Sequence, residues 1–180
     1  MTEDLSALLA AGLVASSTMF FAQTKQVLSP APELLHGHGW GLAWFEQKRD
    51  TSGAIAFERH LIMDNYSTAN AGGVTFAEIH ALSIGDVDGD RIPDLITGKR
   101  YWAHQDSYFD PDPYGDPVLY WYRTVRNPKA PGGAEFVPEL IHNRSGVGSQ
   151  LVASDLNKDG LLDIMTSTNR GTFLFFGNKR

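Results

Sequence analysis

Short runs in which apolar and polar residues alternate cover most of the chain after residue 40. Such alternation is typical of β-strands whose two faces meet different surroundings. We predict one antiparallel four-stranded sheet with partial sheets on either side of it, from residues 41–62 and 150–176, and no helix longer than two turns between residues 40 and 176. The strands of the central sheet are Ile79–Gly85, Asp94–Thr97, Val118–Val125 and Phe136–His142.

The last two strands of this sheet have a counterpart upstream. The segments "VLYWYRTVRN" and "FVPELIHN" are matched by "GLAWFEQKRD" and "FERHLIMDN", so the strands belong to a repeat. Four-stranded meanders repeated around an axis form the blades of a β-propeller. We therefore predict an all-β fold, a partial β-propeller with about half a blade at 36–62, one full blade at 77–142 and about three quarters of a blade at 148–177.

This set of blades is smaller than a closed ring, which needs about four to eight of them. We expect either that the chain is a fragment of a larger propeller, whose remaining blades complete the ring, or that a homo-oligomer partner completes it. Sheet faces left open at both ends would favour pairing with such a partner.

Residues 1–35 fit no blade, and we treat them as a separate N-terminal segment. The apolar stretch "LSALLAAGLVASSTMFFAQ" predicts a loosely attached helix or a poorly ordered segment. It lacks the basic start of a signal peptide, and Ser and Thr interrupt it too often for a membrane span. A degenerate repeat is the alternative, because "LVASS" within it resembles "LVASD" at Leu151–Asp155.

Two acidic loops, "DVDGDRIPD" and "DLNKDGLLD", occur at matching places in successive repeats. Carboxylates on alternate residues of a tight loop converge on one point, and calcium, a hard cation with six to eight oxygen ligands, is the usual occupant. We predict two calcium sites. The ligands of the first are Asp86, Asp88, Asp90, the carbonyl of Ile92 and Asp94, and those of the second are Asp155, Asn157, Asp159, the carbonyl of Leu161 and Asp163.

These loops differ from the helix-flanked calcium loops that share their opening. Those loops end with an acidic ligand at position 12, where this chain has Thr97 and Thr166. Strand-like segments run into and out of both loops, so we predict that each joins one strand to the next. An acidic surface turn is the plainer alternative for a single copy, and the second copy argues against it.

Residues His36 to Gly177 resemble the FG-GAP or VCBS repeats of integrin-α-like β-propellers, whose blades have a D-x-D-x-D-G-x-x-D calcium loop. The segments "IHALSIGDVDGDRIPDLITGKRYWAH" and "GVGSQLVASDLNKDGLLDIMTSTNRGTFLFFG" are similar to secreted bacterial VCBS proteins. The resemblance implies a calcium-binding propeller in an extracellular or periplasmic location. Arg91 departs from the pattern, because it stands where the family loop has glycine and would be strained in a left-handed backbone.

Composition and motifs remove several function classes. The formal net charge is −6 and no run of Lys or Arg is present, so we expect no nucleic-acid partner. The absence of cysteine excludes disulfides and thiolate metal sites. No nucleophile motif, P-loop or dinucleotide fingerprint occurs, and we expect no membrane partner.

Long loops rich in aromatic and polar residues fall on the rim opposite the two acidic loops, because chain direction alternates along a meander. Loops on a rigid scaffold are common places for binding and chemistry. The candidate ligand-binding residues of this rim are His38, Trp40, His80, Tyr101, Trp102 and His104. The aromatic side chains suit a sugar ring or a protein surface, although aromatic residues in propellers also fill the contacts between blades.

Two functions follow from these features. The first is a calcium-stabilised recognition module that binds a protein or a glycan across the histidine-bearing rim. The second is the propeller portion of a metal-dependent carbohydrate-active enzyme, since the architecture is similar to that of aldos-2-ulose dehydratase. The enzyme needs at least two rim imidazoles close enough to share one metal, whereas the recognition module is satisfied by histidines dispersed around a groove.

Overall fold

The computed structural model describes residues 19–23, 41–64, 69–103 and 112–178. The strands in these ranges are β1 (Met19–Gln23), β2 (Leu42–Arg49), β3 (Ile55–Met63), β4 (Ile79–Gly85), β5 (Asp94–Lys99), β6 (Leu119–Arg126), β7 (Ala134–His142), β8 (Leu151–Ser154), β9 (Asp163–Thr168) and β10 (Gly171–Phe175). The helical elements in the same ranges are 3₁₀ turns at Ala71–Gly73 and Pro131–Gly133.

The strands form three antiparallel sheets. The first sheet has the order β1-β2-β3, the second β4-β5-β6-β7 and the third β10-β9-β8. The predicted all-β class, the central four-stranded sheet and the partial sheets on either side of it are confirmed, with strand ends that differ from the prediction by two residues or fewer. In the described part of the chain no helix is long and apolar enough to cross a bilayer.

Strand β1 is the element that the sequence did not predict. The helix or poorly ordered segment expected at residues 1–35 does not extend over Met19–Gln23, which pairs antiparallel with β2 from Met19↔Glu46 to Gln23↔Leu42. The pairing supplies backbone hydrogen bonds to an edge of β2 that would otherwise be open. The remainder of residues 1–35 lies outside the described residues.

The first and second sheets share an irregularity in their strand pairing. The pairing of β2 with β3 shifts between Leu42↔Met63 and Ala43↔Leu61. The pairing of β6 with β7 shifts in the same way between Leu119↔His142 and Tyr120↔Leu140. A bulge adds one residue to one strand and redirects the side chains that follow, so Leu42 corresponds to Leu119 and Trp44 to Trp121.

The three sheets stack face on face. The first sheet packs on the second, and the second packs on the third, with the equivalent side. One apolar cluster joins Leu42 and Trp44 of the first sheet to Leu95 and Tyr122 of the second. The other cluster joins the opposite side of the second sheet to the third, through Ala81, Ile96, Leu119, Val147, Leu151 and Ile164. Burial of apolar area on both sides of the second sheet is thus the main force that holds the sheets together.

The outer side of the third sheet exposes a row of apolar residues. Val152 pairs with Met165, and Met165 pairs with Leu174, so the three side chains lie side by side. Their exposed fractions are 38%, 37% and 44%. By register, Met165 corresponds to Ile96 and Leu174 to Trp121 of the second sheet, and these are 0% and 7% exposed under the third sheet. The row is therefore the counterpart of a face that, in the second sheet, is covered by the third.

Candidate metal loops and the opposite rim

The first acidic loop connects β4 to β5 and is held by its own carboxylates. Asp86 accepts the backbone N–H groups of Gly89, at 2.8 Å, and Arg91, at 2.9 Å. Asp88 accepts the N–H of Asp90 and Asp90 accepts the N–H of Ile92. Backbone donors fix each carboxylate, while every oxygen that accepts one N–H keeps a second lone pair for another partner.

Asp94 ties the end of this loop to the neighbouring strand. Its carboxylate accepts the N–H of Val87 at 3.1 Å and that of Thr124, in β6, at 2.8 Å. The side chain is fully buried. Burial raises the pKa of this carboxyl above its usual value, and nearby Asp88 adds to the rise. The two backbone donors and the Trp121 indole oppose the rise by favouring the charged form.

The second acidic loop, between β8 and β9, repeats this arrangement. Asp155 accepts the N–H groups of Asp159 and Gly160, at 3.1 and 2.9 Å. Asp159 accepts the N–H of Leu161 at 2.9 Å, and the Asn157 side-chain amide donates to Asp159 at 2.9 Å. The sequence predicted that both loops join strand to strand, and the structure shows this for each.

Asp163 is the counterpart of Asp94 and is also fully buried. Its carboxylate accepts the N–H groups of Leu156 and Asn157 on one oxygen and that of Gly177 on the other, at 2.9 Å. The Gly177 N–H is the main reason why the pKa of this carboxyl is lowered. The same position in the two loops therefore has opposite pKa shifts.

Each loop contains two left-handed backbone positions, and the loops place their glycine at different ones. Gly89 and Lys158 have φ of 80° and 65°, and Arg91 and Gly160 have φ of 68° and 86°. The strain expected at Arg91 is present, because a side chain in this region meets its own carbonyl oxygen. An equal strain at Lys158 was missed, because the sequence comparison considered only the family glycine.

The first loop brings three of its carboxylates closer together than the second loop does. Oxygens of Asp86, Asp88 and Asp94 lie within 4.8 Å of one another. Among the described residues, the carboxylates of the second loop do not form a group of this tightness. No Lys, Arg or His approaches within 4.0 Å of a carboxylate of either loop in the described ranges. No cationic side chain of the described residues therefore forms an ion pair with these carboxylates, and the all-oxygen donor set fits calcium.

A third cluster lies on paired strands of the first sheet and was not predicted. Glu46, Glu58 and His60 each bring one ligand atom within 4.8 Å of the others. Lys48 forms ion pairs with both glutamates, and His60 Nε2 lies 3.0 Å from Glu46. His60 also stacks on Trp44. Because a lysine already balances the glutamates, this cluster is an ion-pair network. Its signal in the sequence was charge on alternate residues of two pairing strands.

The candidate rim residues are placed unevenly. His80 lies near the start of β4, and Asp86 follows the end of that strand, so the two occupy opposite ends of the sheet. His80 Nδ1 lies 3.1 Å from the carbonyl oxygen of Glu78, which makes Nδ1 the protonated nitrogen. His38, Trp40 and His104 lie outside the described residues.

Tyr101 and Trp102 follow β5 at the same end of the sheet as His80. Trp102 is 45% exposed, with φ of 45°. Tyr101 is half-buried, and its ring packs under the Arg170 guanidinium at 4.7 Å. The two aromatic side chains therefore differ, because Trp102 is open to a partner while Tyr101 is covered on one face.

Two buried charged residues at this rim were missed by the sequence analysis. Glu78 and Lys99 are 0% and 1% exposed, and Lys99 Nζ donates to the carbonyl of Asp112. Arg100 N–H donates to the carbonyl of Glu78 at 3.0 Å. A charged residue next to a predicted strand usually lies at the solvent-exposed end of that strand, so nothing in the sequence indicated that Glu78 and Lys99 are buried.

No protein-family model matches the chain, and the comparison with curated proteins found no match.

Proposed function

We propose that this chain is a calcium-stabilised recognition module of the β-propeller type, with its ligand surface on the rim opposite the acidic loops. The observation that carries the calcium part is the set of carboxylates at Asp86, Asp88 and Asp94, which lie together with no cationic side chain among the described residues to balance them. A bound cation removes their mutual repulsion and stabilises the folded state by mass action.

The propeller arrangement is supported by the way in which the sheets repeat. Leu42 and Trp44 face the second sheet as Leu119 and Trp121 face the third. Such one-directional stacking is how propeller blades bury surfaces that no single blade can bury alone. The partner that fits the row Val152, Met165 and Leu174 is a further sheet of the same kind, from the same protein or from a second copy.

Recognition of a protein or glycan is supported by what occupies the other rim. Exposed Trp102 and half-buried His80 and Tyr101 lie there, and the acidic loops are at the far end of the strands. A strand of six residues spans about 20 Å, so binding at the rim and calcium at the loops use separate surfaces. An extracellular or periplasmic location, where calcium is plentiful, fits this proposal.

The enzyme alternative needs a metal held by rim histidines. In the described part of the chain, the groups of three or more close metal-ligand side chains lie in the first sheet and in the first acidic loop, and neither includes His80. Titration of zinc or manganese into the full-length protein and its His80→Ala and His104→Ala variants tests this alternative. Unchanged affinity and stoichiometry in both variants would eliminate a rim metal.

The calcium sites are tested by pairing loop variants with thermal unfolding. Calcium is expected to raise the melting temperature of the wild type, with two ions bound by calorimetry. Asp86→Asn with Asp88→Asn should remove one ion, and Asp155→Asn with Asp159→Asn the other. Asp116→Asn is the matched control, because this aspartate is exposed and outside both loops.

Terbium luminescence can separate the two loops. Trp121 influences Asp94, whereas its counterpart in the third sheet is Leu174. Tryptophan-excited terbium emission should therefore report the first loop and be lost in Trp121→Phe, while terbium stoichiometry is retained. A melting temperature that neither calcium nor a chelator changes would overturn the calcium proposal.

A further inference from the structure

An open polar cavity of about 510 Å³ lies between the second and third sheets, at the rim opposite the acidic loops. Its walls come from the end of β5, the segment before β8 and the turn from β9 to β10. The lining residues are Arg100, Gly148, Ser149, Gln150, Ser167, Thr168 and Asn169. The volume is in the range of small-molecule sites, and none of the lining residues in the described ranges has an apolar side chain.

Arg100 gives the cavity a positive charge, and among the described residues no acidic side chain lines it. Its Nη1 donates to the hydroxyl of Ser149 at 3.2 Å, which ties one end of the guanidinium to the cavity wall. Its Nε atom is buried and has no hydrogen-bond partner among the described residues. A guanidinium with donors left over is a good partner for a carboxylate.

The rest of the lining consists of neutral hydrogen-bonding groups in an ordered frame. The Asn169 side-chain amide donates to the carbonyl of Tyr101 at 3.0 Å, and Ser167 shares a hydrogen bond with Thr172. Thr168 Oγ1 accepts the N–H of Arg170 at 3.0 Å and donates to the carbonyl of Ser145 at 3.2 Å. A serine or threonine hydroxyl has one donor and two acceptor lone pairs, so Thr168 keeps one acceptor lone pair for a ligand and the serine hydroxyls keep more.

A lone small anion would use the guanidinium and leave most of these groups without a ligand partner. An apolar ligand would displace water from these groups without replacing the hydrogen bonds that the water makes, at a cost for each group that becomes buried. We propose that this cavity is a binding site for an acidic sugar of the uronate class, with the carboxylate on Arg100 and the ring hydroxyls on the serine, threonine and amide groups. The inference rests on the proposed recognition function and names its ligand class.

The test measures binding of free glucuronate and galacturonate to the calcium-loaded full-length chain by titration calorimetry. The methyl ester of glucuronate serves as the neutral matched ligand. A charge-assisted hydrogen bond contributes about 1.5–3 kcal/mol, so Arg100→Gln is expected to weaken glucuronate binding about 10-fold or more. The ester should lose affinity for the wild type by a similar factor, a comparison that holds even if the variant does not fold.

Arg126→Gln is the control variant, because Arg126 is exposed at the opposite end of β6 and its loss changes the net charge equally. It should bind glucuronate as the wild type does. Equal binding by Arg100→Gln, equal binding of the ester, or displacement of glucuronate by acetate at the same concentration would overturn the uronate site. Absence of glucuronate binding with intact calcium stabilisation overturns this inference alone, whereas loss of calcium stabilisation overturns the proposed function.

Discussion

Asp94 and Asp163 end two loops with the same spacing of carboxylates, and both are fully buried. Burial raises the pKa of Asp94, while the N–H of Gly177 lowers that of Asp163. The neighbours of the two loops differ. Leu162 packs over the backbone at Gly85, next to Asp86, and Val87 belongs to the core between the sheets. The counterpart of Val87, Leu156, is 42% exposed.

The difference shows that one loop motif has different electrostatics according to what covers it. The second sheet has a neighbour on each face, so its loop is partly removed from water, and the charged form of Asp94 loses hydration. The third sheet has a described neighbour on one face only. The first loop also holds four carboxylates against three in the second, and we expect it to depend more strongly on calcium for stability.

The largest expected effect is the loss of Asp94. Asp94→Ala leaves two backbone donors without an acceptor, and one of them belongs to Thr124, a buried residue in the middle of the second sheet. Each unsatisfied buried donor costs about 1–3 kcal/mol, so urea unfolding in chelator should show a loss of about 3–5 kcal/mol. Asp163→Ala should cost less, because Gly177 lies beyond the last strand. Equal losses of stability in Asp94→Ala and Asp163→Ala would show that covering the second sheet with the third does not change the contribution of this aspartate.

Tyr122 and Phe175 occupy equivalent positions in the two sheets. The Tyr122 hydroxyl is buried and has no hydrogen-bond partner among the described residues, and burial raises its pKa. Tyr122→Phe should therefore raise the free energy of unfolding by about 1 kcal/mol. Phe175→Tyr is the reciprocal variant and should be close to neutral, since Phe175 is only half-buried. Destabilisation by Tyr122→Phe would indicate a partner for the hydroxyl.

The two loops place their glycine at different left-handed positions, and this predicts a smaller change in stability that is equal in the two loops. Arg91→Gly and Lys158→Gly each relieve a left-handed side chain, and the greater freedom of glycine in the unfolded chain offsets part of the gain. We expect each variant to gain about 0.5–1 kcal/mol in thermal unfolding with chelator. Gly89→Ala and Gly160→Ala, where a Cβ meets no atom within 4 Å, should lose stability through backbone strain alone. A gain in stability for only one of the two glycine variants would show that the two loops are not equally strained.

The smallest effect is a difference in pH dependence in the calcium-free protein. The folded-state pKa of Asp94 is above the usual 3.8, so its contribution to stability increases as pH falls through that raised pKa. The pKa of Asp163 is below 3.8, so its contribution is present above 3.8 and is lost as pH falls through the lowered value. The free energy of unfolding is measured for the wild type and for Asp94→Asn and Asp163→Asn from neutral pH to about pH 3. As pH falls, the wild type should gain stability relative to Asp94→Asn and lose stability relative to Asp163→Asn. Parallel changes would contradict the two shifts.

The sequence predicted the strands and loops well because their signals are local. Alternation of apolar residues marks β4 to β7, and each acidic loop is a contiguous run of residues. Features that depend on distant neighbours were not predictable in the same way. Strand β1 is defined by its pairing with β2 across a long separation, and its five residues have no polar alternation of their own.

The rim was the least predictable part of the molecule. The sequence selected aromatic and histidine side chains for their chemistry, but Arg100 and Asn169 meet at one cavity only because the second and third sheets stack. Burial of Glu78 and Lys99 depends on the same packing. Side-chain type indicates what a residue can do, whereas the stacking of sheets decides which residues act together.

The stacking of sheets also limits how this protein can assemble. The second sheet receives the first on one face and offers its other face to the third, so the contacts between the described sheets are heterologous rather than two-fold symmetric. In the proposed propeller arrangement, another unit of the same kind would cover the row at Val152, Met165 and Leu174 but would present a new row of the same type. Growth of this kind ends in a ring only when the rotation per unit returns the last sheet to the first, and otherwise gives an open filament. The angle between neighbouring sheets, rather than the strength of any one contact, therefore sets the number of units in a closed assembly.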